Sequence, residues 1–101
     1  MKRRVYVDPY VFDTLMPDLV RHDKRPSAYL LYLYLWAQTG GSATARVSVS
    51  LQRLAEDTGL SKRAVQHALA ALTRRRLVRI ERTTRTAVPA YGVLRPWRRG
   101  R

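Results

Sequence analysis

The sequence contains no cysteine, a single phenylalanine, and only five glycines and five prolines in 101 residues. Without thiols there is neither a disulfide framework nor a thiolate metal site, an absence that fits a reducing compartment. Scarce glycine and proline, with 46% hydrophobic and 27% charged residues, exclude a low-complexity chain and leave a globular one. At this length a single domain is expected. Long hydrophobic runs are missing too. The longest, Ala28 to Ala37, is ten residues, about half the ~20 a bilayer-spanning helix needs. Met1-Lys2-Arg3-Arg4 imitates the basic start of a secretory signal, but Asp8 and Pro9 arrive before an apolar stretch forms. Export is therefore not expected, and a cytoplasmic location is, nucleoid-associated in a bacterium.

Acidic residues are lacking where basic ones are dense. Residues 1–60 carry eight Lys or Arg against six acids, whereas residues 61–101 carry twelve against Glu81 alone, within a net charge of +13. The C-terminal part is expected to face a polyanion, and charge alone does not separate DNA from RNA or an anionic membrane.

Periodicity supplies the framework. Val5-Tyr6-Val7 reads as a short strand or extended arm, and Asp8-Pro9 as an N-cap and first helical residue for a short helix to about Met16, which Pro17 interrupts. Pro26-Ser27 opens a second helix that Gly40-Gly41 stops. Its apolar residues run nearly all round, so it is buried on more than one side, under the N-terminal segment or against a second subunit. Tyr29, Tyr32 and Trp36 form a stripe on it that reads as packing rather than a base-stacking platform. Arg46-Val47-Ser48-Val49 alternates as an edge strand does. Ser50 caps a helix that Gly59 ends, and Ser61 caps the next. In that last helix Val65, Ala68, Leu69 and Leu72 make one apolar face, leaving Lys62, Arg63, Gln66, His67 and Ala70 opposite. Leu77–Arg82 and Ala87–Leu94 then read as a β-hairpin, and residues 95–101 as a loosely held basic tail.

The run from Leu54 to Leu69, LAEDTGLSKRAVQHAL, resembles the helix-turn-helix of bacterial winged-helix regulators, including GntR-like and phage or plasmid replication-associated domains. Ala55 is small where two helices cross, Gly59 makes the turn, and Val65 with Leu69 fills the seam. The continuation through Arg74-Arg75-Arg76-Leu77-Val78 resembles the family's passage from recognition helix into wing, and the similarity covers roughly a quarter of the chain. The resemblance implies a winged helix-turn-helix fold, mainly α with a small antiparallel β wing. Residues 1–25 would be an N-terminal extension packing on the core, 26–94 the winged helix-turn-helix domain and 95–101 the tail. It also implies that the helix beginning at Ser61 enters the major groove of duplex DNA. There Arg63 suits guanine, Gln66 adenine, Lys62 and His67 bases or phosphates, and Ser61 a phosphate at the helix N-terminus, with Ala70 completing the face. Arg82, Thr84 and Arg85 of the wing would meet the backbone or a minor groove. Two departures stand out: Arg76 occupies a position where the family commonly has glycine, and the wing tip has no glycine for a tight two-residue turn. GntR-like regulators also carry a large effector domain that has no counterpart here, so no small-molecule effector is expected.

Sequence-specific DNA binding, as a transcriptional repressor or replication-control protein and as a homodimer on two half-sites, is the leading expectation. The alternatives are a winged-helix protein-docking module or a non-specific nucleic-acid binder; structured RNA fits the charge but not the helix, which the narrow A-form groove excludes. Arg74-Arg75-Arg76 reads equally as a phosphate contact or a solvated run, His67 as a contact or a surface residue, and Trp97 as a groove wedge or a core anchor. Catalysis is not expected, nor a cofactor or metal. His22 and His67 lack ligand spacing. Asp8, Asp13, Asp18 and Asp23 recur every five residues, which in an α-helix scatters them around the axis.

Overall fold

The computed structural model describes residues 4–84 and 87–98. Its centre is α1 (Pro26–Thr39), which starts with proline at its first turn and ends where Gly40 takes the left-handed conformation. Gly41 is held at a φ of 76°, and a Cβ there would lie 2.5 Å from the Trp36 ring, so neither the backbone nor the space admits a side chain. Seven α1 residues are buried: Ala28, Tyr29, Leu31, Tyr32, Leu35, Trp36 and Thr39. The polar tips of its aromatic stripe each find a backbone carbonyl in a different segment. Tyr29 donates to Val11, Tyr32 to Leu94 and Trp36 to Tyr6, each at 2.9 Å. The stripe is thus a core, as its spacing predicts, and it ties both the N-terminal segment and the chain at Leu94 to α1. Burial pushes both phenols above their ordinary pKa, which keeps them as donors.

The N-terminal segment covers α1 from one side, the first of the two coverings its apolar character predicts. Val11, Leu15 and Leu19 are buried and join the residues of α1 in one core cluster. The segment departs from the expected short helix. Helical turns begin at Pro9 and continue through π-helical stretches at Val11–Leu15 and Pro17–His22. Pro17 is the first residue of the second stretch, and the helical turns run through it instead of stopping. Residues 5–7 form no strand; the Tyr6 carbonyl accepts from Trp36 of α1.

Beyond α1 come β1 (Val47–Ser48), α2 (Leu51–Thr58), α3 (Lys62–Arg74), β2 (Val78–Glu81) and β3 (Ala90–Val93). The fold is mainly helical with a small three-stranded antiparallel sheet in the order β1-β3-β2. β1 is an edge strand, as its alternation predicts, with Val47 opposite Tyr91; Val78 stands opposite Val93 across the hairpin. The hairpin strands are shorter than their apolar patterns suggest, and in the connection Ala87 N–H donates to the Thr84 carbonyl at 3.3 Å. Leu77, Val78, Tyr91 and Val93 close the core beneath α3.

The basic tail is the second correction. Trp97 stacks on Tyr10 at 4.5 Å and on Trp36 at 6.3 Å between ring centres. Its indole N–H donates to the Asp8 carboxylate at 2.7 Å, and Arg98 binds the same carboxylate. Asp8 therefore anchors the tail instead of capping the helix, since its oxygens are taken by partners stronger than a backbone amide. The Arg98 guanidinium holds the Asp8 carboxyl below the usual carboxylate range. Residues 99–101 lie outside the described residues. No helix among the described residues is long and apolar enough to cross a membrane.

Candidate nucleic-acid interface

α2 and α3 are joined by a turn whose every step is hydrogen-bonded. The Ser50 hydroxyl accepts from Arg53 N–H at 3.1 Å to start α2. Gly59, left-handed at φ 80°, donates to Ala55 at 2.9 Å and ends it. Leu60 N–H donates to the Thr58 hydroxyl, and Ser61 accepts from Ala64 N–H at 3.0 Å to start α3. Each such cap is worth about 1 kcal/mol, so the direction in which α3 leaves the turn is strongly fixed.

α3 buries Val65, Ala68, Leu69, Ala71 and Leu72, and the opposite face carries Lys62, Arg63, Gln66, His67 and Ala70, all exposed. At its far end Arg76 adopts a φ of 59°, with Leu77 N–H donating to Leu72 at 2.8 Å. Arg76 thus takes the left-handed conformation usually given to glycine, at a cost of about 1 kcal/mol or more, and the chain passes straight into β2.

Between α3 and the hairpin lies a groove of about 700 Å³, with Gln66, Ala70 and Arg74 on the helix side and Ile80, Arg82 and Val88 on the hairpin side. The structure therefore brings Gln66, Ala70 and Arg82 to one place. Ser61 and Lys62, at the first turn, are not among its lining residues, and Thr84 is exposed in the connection after β2. Arg85 lies outside the described residues. Thr73, which was not among the expected contacts, also lines the groove, as does Arg74 of the arginine run; counting on from Gln66 and Ala70 in helical steps reaches both.

The charge on this side is uncompensated. Among the described residues Lys62, Arg63, Arg74, Arg76 and Arg82 form no salt bridge. Most of the acids are engaged with other groups: Asp57 with Arg53 and Tyr34, Glu81 with Arg46 and Arg79, Asp8 with Arg98, and Asp18 and Asp23 with Arg75. Arg75 resolves the arginine run: it turns to the rear, 2.7 Å from Asp23, while its two neighbours remain free. The two aspartates it gathers are linked through one π-helical turn, Asp23 N–H donating to the Asp18 carbonyl at 2.8 Å. The four evenly spaced aspartates otherwise go separate ways, as expected: Asp8 binds Arg98, and Asp13 has no ion-pair partner among the described residues. Arg75 and, secondarily, His22 bring the Asp23 carboxyl down to about 2.

Such a surface offers rigidly placed forks and amides on a helix narrow enough, at about 10–12 Å, to enter a groove about 12 Å wide. Among the described residues no three His, Asp or Glu side chains gather as metal ligands would. No family model matches the chain, and neither a characterised protein nor a solved structure is detectably similar to it.

Proposed function

We propose that the chain binds duplex DNA sequence-specifically in the manner of a winged helix-turn-helix protein, with α3 in the major groove and the β2–β3 hairpin against the backbone. The observation that carries this reading is the outward face of α3. Two unpaired cations, an amide and an imidazole stand in register on a helix whose other face is fixed in the core. The hydrogen-bonded turn from α2 and the β1-β3-β2 sheet beside α3 support it. In this reading Arg63 and Gln66 read base edges, Lys62, His67 and Ser61 hold bases or phosphates near the helix start, and Arg82, Thr84 and Arg85 steady the backbone. The role is binding, as a transcriptional repressor or replication-control protein.

The test is selection from random duplexes, then binding of the enriched site against a scrambled one at ~150 mM salt, where non-specific contacts are weakened. A preference of at least a hundredfold is expected. Equal, salt-sensitive binding of both would overturn sequence reading. A second reading, docking of an acidic protein, draws on the exposed Ile80 and Val88 at the groove. It requires that Arg63→Ala and Gln66→Ala leave DNA affinity unchanged.

A further inference from the structure

Phe12, Met16 and Val20 recur every four residues along the N-terminal helical segment and remain 46%, 39% and 36% exposed. Leu30 of the adjoining α1 is 43% exposed. Single exposed apolar side chains are ordinary, but four large ones on packed neighbouring elements form a patch of the kind that marks an interface. Beside Val20 the surface falls into an apolar groove of about 490 Å³ lined by Val20, Pro26, Tyr29, Leu30, Leu33 and Leu60. The patch therefore has a knob at one end, Phe12, and a hole at the other.

Charge has the same polarity. Asp13, next to Phe12, is the one acid among the described residues with neither an ion-pair nor a side-chain hydrogen-bond partner. Arg21, next to Val20, forms no salt bridge either. A surface with knob and negative charge at one end, hole and positive charge at the other, is complementary to itself after a two-fold rotation. With the axis at Met16, Phe12 enters the groove of the second copy and Asp13 faces the partner's Arg21, each contact occurring twice.

We infer that this face joins two copies of the chain into an isologous dimer. The inference uses none of the outward residues of α3 and stands apart from the DNA reading. It also relocates the expected dimer contact. The apolar surplus of α1 is covered mostly within the chain, and the face left for a partner lies on the N-terminal segment.

Sedimentation of the full chain without DNA, from about 1 to 100 µM, tests it, since specific dimers of modest interface fall in this range. A reversible monomer–dimer equilibrium is expected. Phe12→Lys should raise the dissociation constant at least ~10-fold with an unchanged circular dichroism spectrum, and Leu30→Glu should do the same from the groove side. Asp13→Arg and Arg21→Asp should each weaken the dimer by up to about tenfold, since each replaces two attractive pairs by two repulsive ones. The double variant Asp13→Arg/Arg21→Asp should restore it. A monomer throughout the range would overturn the proposal and leave the patch to another partner. A dimer indifferent to both Phe12→Lys and Leu30→Glu, or a double variant no better than its parents, would overturn it equally.

Discussion

Arg63 and Arg75 stand at the two ends of α3 and have opposite surroundings. Arg63, in the first turn, is exposed and forms no salt bridge among the described residues. Arg75, at the C-cap, is clamped by Asp23 and approached by Asp18. The rear of the molecule repeats the Arg75 pattern at Arg98, which binds Asp8. Acids from the N-terminal half thus neutralise arginines of the C-terminal half across the rear. The uneven charge along the sequence becomes an uneven charge in space, concentrated on the outward face of α3 and the start of the hairpin connection. Arginines on the two sides differ in their surroundings: Arg75 and Arg98 tie distant segments together, whereas Arg63, Arg74, Arg76 and Arg82 form no salt bridge among the described residues. Substitutions on each side should therefore separate stability from affinity.

The largest expected effect is at the rear. Trp97→Ala removes stacking on Tyr10 and Trp36 and the hydrogen bond to Asp8. A fully buried Trp→Ala costs about 3–5 kcal/mol. Trp97 is half-buried, so about 2–3 kcal/mol is expected, read as a lower urea midpoint. DNA affinity per folded molecule should not change; a parallel loss of affinity would show that the tail belongs to the binding side.

Next is Arg63→Ala, which should cost roughly 1–3 kcal/mol of specific binding and relax selection at one base pair. Its urea midpoint should stay within about 0.5 kcal/mol of the parent because the side chain is exposed and unpaired. Equal losses on specific and scrambled duplexes would reduce Arg63 to a phosphate contact.

The front was legible in the sequence and the rear was not, for a physical reason. Gly59, Ser61 and the Val65-Ala68-Leu69-Leu72 face act locally, within one or two turns, so periodicity and capping rules reach them. The N-terminal segment follows π-helical geometry, for which a 3.6-residue period gives the wrong faces. The meeting of Asp18 and Asp23 at Arg75 is the part that the spacing does not announce. Trp97 and Asp8 meet across 89 positions, and nothing local to either announces the other. The groove beside α3 was half legible. Gln66, Ala70 and Arg82 were expected at the interface, but the inclusion of Ile80 and Val88 depends on how the hairpin packs beside α3.

The Asp23–Arg75 clamp predicts a smaller, pH-dependent effect. The Asp23 carboxyl titrates at about 2 in the fold against its ordinary 3.8. Its contribution to stability is therefore complete above about pH 5, falls from about pH 4 and is lost as the pH passes through about 2. The pair is partly solvent-exposed, so screening reduces the linkage to about 1 kcal/mol. Asp23→Asn should lower the urea midpoint at pH 7, and the gap should shrink strongly by pH 2, where about half of the folded molecules hold the proton. A gap undiminished at pH 2 would assign the role of Asp23 to packing or backbone geometry instead of charge.

The smallest effect is expected from Arg82→Ala, and it probes the front from its hairpin side. Arg82 is exposed at the end of β2 and lines the groove facing Gln66 and Ala70. If it holds a phosphate, its loss releases one fewer counterion on binding. The slope of log affinity against log salt should then fall by about one, and affinity should weaken a few-fold for specific and scrambled duplexes alike. Stability should be unaffected, because no acid pairs with it. A loss confined to the specific site would instead place the hairpin among the base-reading elements and extend the reading surface beyond α3. An unchanged salt slope would leave the hairpin outside the interface and α3 as its whole extent.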